Sequence, residues 1–318
     1  MGRTRLLCDR WEFSKNPIGT AYSDELDWKN VDIPHDWLIY DTENLYETST
    51  GWYRRKLEAA REAGERVYLR FEGVYMDCAV FVNGRKVGEW KYGYSTFEVD
   101  ITDFLEEGEN LVAVRVDYRE PNSRWYSGVG IYRRVWLKIS PECRLVSDGI
   151  YINAEPDGSV TVTAEVERPE TVPVQGLSVR HIIMDGETEI TRTEIARTEH
   201  ACCAFDKSAL PETVVREGFS YAVNTDFLTV ESPKLWDVES PCLYTCVTEL
   251  LREGQVVDRE VSRFGFRKAE FTADRGFYLN GRHVKLHGCC EHHDLGALGA
   301  AVNTAAIKRK LEKLHIWG

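Results

Sequence analysis

A run of consecutive polar side chains near the end of the chain is the stretch in which chemistry is concentrated. The run consists of Cys289, Cys290, Glu291, His292, His293 and Asp294. Thiolates, imidazoles and carboxylates all ligate zinc, so a metal site is one interpretation. Contiguous residues cannot all face one ion, however, and the C-x-x-C or H-x-x-x-H spacing that surrounds a metal is absent. The composition permits a metal site and the spacing argues against it.

Other interpretations of the same run remain open. A Cys-His nucleophilic pair needs a thiol with a lowered pKa and a base that is adjacent in space, and adjacency in sequence supplies neither. Imidazoles and carboxylates also hydrogen-bond bound ligands. The structural alternative is that one or two of the residues only cap the segment that follows.

The elements around this run predict one β/α unit. The apolar run Val284–Leu286 follows the turn pair Asn280-Gly281 and predicts a strand. Downstream, Asn303 is a suitable N-cap for a helix. The apolar positions of that helix recur at i, i+4 and i+7, and they are Ile307, Leu311 and Leu314. Ligands of α/β folds bind beyond the carboxyl ends of strands, which is where the polar run lies.

The first 140 residues predict an antiparallel β-sandwich. Apolar and polar residues alternate in 67–71 and in 112–117, which is the period of half-buried strands. The pair Asn83-Gly84 between apolar segments predicts a hairpin. This region also carries seven tryptophans, which either pack in the core or stack on sugar rings, and core packing is the commoner role.

The following region predicts a second, immunoglobulin-like sandwich. Strict alternation in 160–166 indicates a strand, and the glycine turns at Gly158, Gly186 and Gly254 indicate hairpins. No group of titratable residues gathers here, so we interpret the region as a spacer.

Composition narrows the partners. The chain of 318 residues carries a net charge of -12, which argues against nucleic acid and anionic membranes and favours a neutral or weakly charged ligand. No apolar run reaches the roughly 20 residues of a membrane helix, and the N-terminus has no signal-peptide pattern. Nine cysteines, with vicinal pairs at Cys202-Cys203 and Cys289-Cys290, favour reduced thiols and a cytoplasmic location.

Several motifs, in order, resemble glycoside hydrolase family 2, the β-galactosidase, β-glucuronidase and β-mannosidase family. Those of the first region are W-K-N-V-D-I-P-H-D-W from Trp28, G-W-Y-R-R from Gly51, F-E-G-V-Y-M-D from Phe71 and R-W-Y-S-G-V-G-I-Y-R-R-V-W-L from Arg124. The later ones are L-W-D-V-E-S-P-C-L-Y from Leu235, R-F-G-F-R from Arg263 and the segment G-F-Y-L-N-G from Gly276, followed by K-L-H-G-C-C-E-H-H-D-L-G-A-L-G. The amino-acid sequence of the last segment is most similar to that of the bacterial β-galactosidases in the family.

The resemblance implies a mainly β chain of three parts. These are a jelly-roll sugar-binding domain over 1–140, an immunoglobulin-like β-sandwich over 141–268, and, over 269–318, the first β/α unit of a truncated (β/α)8 barrel. It also implies the function of a retaining β-galactosidase that acts on terminal β-D-galactosides. The catalytic glutamates of the family lie on later barrel strands, expected beyond Gly318, so we expect this chain to be an inactive N-terminal fragment.

The resemblance also assigns substrate-binding roles. It implies that His292 binds the sugar, together with the adjacent residues His293 and Asp294. In the family, two loops of the first domain complete the substrate pocket. By position, these loops contribute three further candidate substrate-binding residues, Asn44, Arg124 and Trp125. The alternative for Arg124 is a salt bridge within its own domain.

Other expectations rest on the family alone. The partner is a carbohydrate, a homo-oligomer of the full-length enzyme is consistent with the family, and no metal site is assigned, although the family leaves room for a divalent cation. Alternative functions are a non-catalytic carbohydrate-binding module and a β-glucuronidase or β-mannosidase.

Overall fold

The structure is a computed structural model, which describes residues 2–193, 196–197, 218–288 and 290–317. Within these residues the chain forms 21 strands and one α-helix, so the mainly β class is confirmed. The chain divides into two compact units. The first unit consists of Arg3–Ile139 and Glu291–Gly318, and the second unit consists of Met1–Gly2 and Ser140–Cys290. The polar run therefore straddles a unit boundary, between Cys290 and Glu291.

Two sheets form the first unit. Its strands are β1 (Arg3–Leu6), β2 (Trp11–Asn16), β3 (Lys29–Val31), β4 (Ser49–Glu58), β5 (Glu65–Phe71), β6 (Cys78–Val82), β7 (Arg85–Trp90), β8 (Phe97–Asp100), β9 (Glu109–Tyr118) and β10 (Val135–Pro141). The smaller sheet has the order β1-β10-β5-β8, and the larger one has the order β3-β2-β4-β9-β6-β7. Neighbouring strands of the larger sheet are antiparallel throughout.

Alternation builds the core of this unit as the sequence predicts. In β9 the side chains of Val112, Val114 and Val116 are buried, and β5 buries Val67 and Phe71 in the same core cluster. The hairpin at Asn83-Gly84 is also confirmed. Asn83 and Gly84 both have positive φ, at 51° and 75°, which is the conformation of a type I′ turn between β6 and β7.

The tryptophans of the first unit divide by burial. Trp11, Trp37 and Trp52 are buried, and three more are partly buried. Core packing is thus the role of most of them, as expected from the size of the ring. Trp125 is the exception, because 41% of it is exposed.

The second unit contains three sheets among its described residues. Its strands are β11 (Arg144–Ala154), β12 (Ser159–Pro169), β13 (Leu177–Asp185), β14 (Thr188–Arg192), β15 (Ala196–Arg197), β16 (Phe219–Thr229), β17 (Tyr244–Arg252), β18 (Gln255–Phe264), β19 (Ala269–Thr272), β20 (Gly276–Leu279) and β21 (Arg282–His283). The orders are β11-β12-β16, β14-β13-β17-β18 with β15 on β13, and β19-β20-β21.

The local predictions for this unit are also confirmed. Strand β12 buries Val160, Val162 and Val166 on one face, as its alternation requires. Gly158, Gly186 and Gly254 all have positive φ in turns between successive strands, which is the conformation that glycine adopts without strain. The Cys202-Cys203 pair lies outside the described residues.

The strand expected over Val284–Leu286 is wrong. Regular pairing ends at His283 in the antiparallel sheet of β19, β20 and β21, and the amide of Val284 donates one further hydrogen bond, of 2.9 Å, to the carbonyl of Phe277. A barrel strand exists only between parallel neighbours, and the described chain supplies none for this segment. Of the predicted β/α unit, the structure therefore contains the helix but not the strand.

The predicted helix is confirmed as α1 (Thr304–Trp317). The Oδ1 of Asn303 accepts a hydrogen bond of 3.1 Å from the amide of Ala306, which makes Asn303 the N-cap. Leu311 and Leu314 are 60% and 38% exposed, so the apolar stripe of α1 is largely open to solvent. No helix formed by the described residues is long and apolar enough to cross a membrane.

Candidate functional site

A buried carboxylate organises the candidate site in the first unit. Asp36 is 2% exposed. Its Oδ1 accepts hydrogen bonds from the amides of Leu38, at 3.1 Å, and Val129, at 3.2 Å. Its Oδ2 accepts hydrogen bonds from the amide of Ala300, at 2.8 Å, and the hydroxyl of Tyr126, at 2.6 Å. One side chain thereby joins the loop before β4, the loop before β10 and the segment that precedes α1.

Two glycines allow this close approach. A Cβ on Gly299 would lie 2.4 Å from Asp36 Oδ2, and a Cβ on Gly128 would lie 2.2 Å from the Cβ of Ala300. Both glycines also have positive φ. A side chain at either position would push the segment away from the carboxylate, so the packing here requires glycine.

Burial of the Asp36 carboxyl has electrostatic consequences. Desolvation raises the pKa of Asp36 above its ordinary value, although the four hydrogen bonds act in the opposite direction by favouring the carboxylate. Desolvation also raises the pKa of Tyr126, and the charge of Asp36 adds to that shift. Tyr126 therefore stays a neutral hydrogen-bond donor to Asp36.

His293 anchors the polar run to the first sandwich. Its Nε2 lies 2.9 Å from the carbonyl oxygen of Ser127. A carbonyl only accepts hydrogen bonds, so Nε2 must carry a proton. The ring of His293 contacts the rings of Tyr94 and Tyr132, with centroids 5.6 Å and 5.7 Å away. His293 is thus held by packing and by one directed hydrogen bond.

The loop that receives His293 is itself cross-linked. Ser127 is buried, and its hydroxyl lies 2.5 Å from the hydroxyl of Ser123. Ser123 also donates a hydrogen bond of 2.7 Å to the carbonyl of Trp125. These bonds fix the loop that carries Trp125.

A small open cavity lies at the end of this arrangement. Its volume is about 270 Å³, and its lining residues are Tyr94, Trp125, Glu291, His292 and His293. The rings of His292 and Trp125 have centroids 5.5 Å apart at an interplanar angle of 43°, and both residues are exposed. An exposed indole face beside an imidazole can stack on an apolar ring and hydrogen-bond its hydroxyls.

The remaining predicted site residues lie outside the cavity lining. Arg124 is exposed and has no ion pair or hydrogen bond with any described residue, so the salt bridge considered for it does not form there. Asp294 is partly buried, and Asn44 is exposed on its own loop. Glu291, which lines the cavity, forms an ion pair with Lys310 of α1.

The metal and thiol interpretations gain no geometric support. Cys289 lies outside the described residues, and the described histidine, cysteine and acidic side chains form no group of three or more that could hold a metal ion. In the described part of the chain, His292 and His293 contact aromatic rings and a carbonyl, and neither contacts a thiol.

Sequence reasoning missed Asp36 and Tyr94. Asp36 had a signal, because an acidic residue within the mainly apolar stretch I-P-H-D-W-L would have to be satisfied by hydrogen bonds if that stretch were buried. Tyr94 belongs to the aromatic segment Tyr92-Gly93-Tyr94 just after β7. Nothing local distinguishes Tyr94 from the other tyrosines of the domain.

Two mainly β units, one of which presents an indole, an imidazole and a phenol around an open cavity, are typical of the accessory region of a carbohydrate-active enzyme. Comparison with known families agrees. Residues 16–141 match the family model described as glycosyl hydrolases family 2, sugar binding domain, and residues 148–267 match the model described as glycosyl hydrolases family 2. The chain belongs to glycoside hydrolase family 2.

Individual relatives cover nearly the whole chain. It is 38% identical to the β-galactosidase BoGH2A of Bacteroides ovatus over 92% of its own length, and 31% identical to a putative β-glucuronidase of Formosa agariphila over 98%. A crystal structure of a family 2 member from Bacteroides cellulosilyticus covers 99% of the chain with a TM-score of 0.82 and 32% identity, and the chain covers 42% of that structure. The chain spans 34% and 29% of the two curated relatives, about a third of their length.

Proposed function

We propose that this chain is the N-terminal part of a retaining family 2 glycosidase of the β-galactosidase type, and that it supplies sugar contacts to an active site completed by a catalytic barrel. The observation that carries the proposal is the exposed pair of Trp125 and His292, whose rings lie 5.5 Å apart at an open cavity. His293 and Asp36 hold that pair in place through the loop of Ser127 and the amide of Ala300.

The pair suits a pyranose ring. The indole face of Trp125 would stack on the apolar face of the sugar, and His292 would hydrogen-bond a hydroxyl. Bonds of this kind strengthen as the ring flattens toward its oxocarbenium-like transition state, and so they contribute to catalysis. The reaction also needs two carboxyl groups about 5 to 5.5 Å apart, an acid and a nucleophile, and we assign both to the barrel, in line with the family.

The charge of the cavity favours a neutral sugar. Its lining contains one carboxylate, Glu291, and no lysine or arginine. A glucuronate carboxylate would need a cation beside it. The name of the B. ovatus relative, a β-galactosidase, points in the same direction.

A β-glucuronidase is the second candidate, and one residue favours it. Arg124 precedes Trp125 in the loop, is exposed and is unpaired with any described residue. A guanidinium in this position is free to turn toward a sugar carboxylate. The name of the F. agariphila relative supports the same alternative.

The test is nitrophenol release from aryl β-galactoside, β-glucuronide and β-mannoside. The enzymes are the 318-residue chain and the protein encoded by the full reading frame that contains it. We expect turnover only by the full-length protein, fastest on the galactoside. Turnover by the 318-residue chain alone would overturn the assignment of the carboxyl pair to the barrel, and preference for the glucuronide would select the second candidate.

A further inference from the structure

We propose that the outer face of the sheet β11-β12-β16 in the second unit is a binding platform for a neutral, extended glycan chain. The strongest feature of this face is two exposed aromatic rings. Tyr151 is 68% exposed and Phe227 is 79% exposed, although both lie inside regular strands. Removing such apolar surface from water is favourable, and folding of the described chain leaves that gain unrealised here.

Strand register places the two rings on one face. Tyr151 pairs with Thr163, and Phe227 pairs with Thr161, so the rings lie on the two outer strands with β12 between them. The offset is two strand spacings across the sheet and two residues along it. With strands about 4.8 Å apart and a rise of about 3.4 Å per residue, the two Cα atoms lie about 12 Å apart. That separation exceeds a single sugar ring, so a ligand that stacks on both aromatic rings must be a chain of linked sugars.

The side chains between and beside the rings are uncharged. They are Asn153, Ser159, Thr161, Thr163, Thr225 and Thr229. The charged residues at the edges of this part of the face, Glu155 and Glu165, are both acidic and partly buried, and Glu155 accepts a hydrogen bond of 3.4 Å from the amide of Asn153. The face therefore offers no cation to a ligand, which disfavours nucleic acid and acidic polysaccharides.

The polar groups suit hydroxyl-bearing partners. Thr163 and Thr225 hydrogen-bond each other at 3.1 Å, whereas Thr161 and Thr229 have no hydrogen-bond partner among the described side chains. Threonine hydroxyls and the amide of Asn153 both donate and accept, as sugar hydroxyls do. Two stacking rings with such groups between them match a chain of linked neutral sugars, whose rings alternate apolar faces and hydroxyl edges.

The platform differs from the cavity of the first unit in place and in role. It would retain a polymeric substrate and leave cleavage to the active site. It is independent of the proposed function, because an aryl monosaccharide is too short to reach both rings.

Affinity electrophoresis of the full-reading-frame protein tests the proposal. The gels contain soluble β-1,4-galactan or hydroxyethyl cellulose as neutral probes, and polygalacturonate as the charged counterpart. We expect a neutral probe to retard the protein and polygalacturonate not to do so. Tyr151→Ala and Phe227→Ala should each weaken retardation about tenfold, because one stacking contact is worth about 1.5 kcal/mol at most. Phe271→Ala is the matched control, since Phe271 is 76% exposed on another sheet.

A second variant guards against loss of folding. Thr161→Arg places a charged side chain between the rings without removing either, and it should likewise weaken retardation. Aryl glycoside hydrolysis should stay unchanged in all four variants. The proposal is overturned if neither neutral probe retards the wild type, if the ring variants retain full retardation, or if sedimentation shows that the two rings instead drive self-association.

Discussion

The amide of Ala300 donates a hydrogen bond of 2.8 Å to Oδ2 of Asp36, a residue that precedes it by 264 positions. This bond fastens the segment that begins at Glu291 to the first sandwich. The same segment carries His292 to the indole of Trp125. The geometry of the candidate site therefore depends on a carboxylate that does not itself line the cavity.

Removing that carboxylate should destabilise the first unit. Asp36→Ala leaves three buried amides and the Tyr126 hydroxyl without their acceptor, and we expect a loss of about 3 kcal/mol or more in the free energy of unfolding. Urea unfolding followed by tryptophan fluorescence measures it, because seven of the nine tryptophans belong to Arg3–Ile139. Asp27→Ala is the control, since the Asp27 side chain is 82% exposed. Equal stabilities for the two variants would contradict the organising role of Asp36.

The glycines near Asp36 offer a matched comparison. Gly299 and Gly296 have similar positive φ values, 58° and 62°, so alanine is strained at both positions. A Cβ at Gly299 would lie 2.4 Å from Asp36 Oδ2, whereas a Cβ at Gly296 would meet nothing within 4 Å. We expect Gly299→Ala to lower the melting temperature clearly more than Gly296→Ala in a thermal scan. Equal melting temperatures would mean that the segment does not pack as tightly as described.

Acid should weaken the first unit over a defined pH range. His35 is 3% exposed, its Nδ1 lies 2.7 Å from the Tyr53 hydroxyl, and its Nε2 has no hydrogen-bond partner among the residues that the structure describes. Burial lowers the pKa of His35 from 6.5 to about 4. Between these values the unfolded chain binds the proton more readily, so stability present above pH 6.5 is lost as the pH falls toward 4.

The expected loss from His35 is about 3 kcal/mol in the free energy of unfolding. His35→Gln, which cannot take up a proton in this range, should flatten the pH dependence measured by urea unfolding of the first unit at pH 7, 5.5 and 4.5. A dependence that is equally steep in the variant would assign the effect to other groups.

Adjacent histidines should give opposite phenotypes. His293→Ala removes the hydrogen bond to Ser127 and the contacts with Tyr94 and Tyr132, so we expect about 1 to 2 kcal/mol less stability. His292 is exposed, and His292→Ala should cost less than about 0.5 kcal/mol. In the full-reading-frame protein, however, His292→Ala should lower kcat/KM through the lost sugar contact. Unfolding and kinetic measurements on both variants separate the structural role of His293 from the sugar-binding role of His292. A larger loss of stability in His292→Ala than in His293→Ala would contradict this assignment.

The buried faces of strands, the hairpin turn and the helix N-cap could be predicted from the sequence, because each depends on residues that are close together in the chain. Alternation sets which face of a strand is buried, and the Asn83-Gly84 pair suits a type I′ turn whatever surrounds it. The N-cap at Asn303 is equally local. The strand over Val284–Leu286 failed for the complementary reason, because an apolar run becomes a strand only when neighbouring strands accept its hydrogen bonds.

The candidate site was readable only in part. The polar run identified His292 and His293 as a pair, but the difference between an exposed contact and a packed anchor depends on Ser127, which is 166 positions away from His293. The Asp36 network joins three segments that are far apart in sequence, and no local pattern predicts such a convergence. Tyr94 enters the cavity for the same non-local reason.

The most direct test of the sugar-binding role is kcat/KM for an aryl β-galactoside in the full-reading-frame protein with Trp125→Ala. Tyr92→Ala serves as its control, because Tyr92 is 63% exposed but does not line the cavity. We predict that Trp125→Ala lowers kcat/KM about tenfold with an unchanged melting temperature, and that Tyr92→Ala changes neither. If Trp125→Ala leaves kcat/KM at the wild-type value, the cavity beside Trp125 does not bind the substrate.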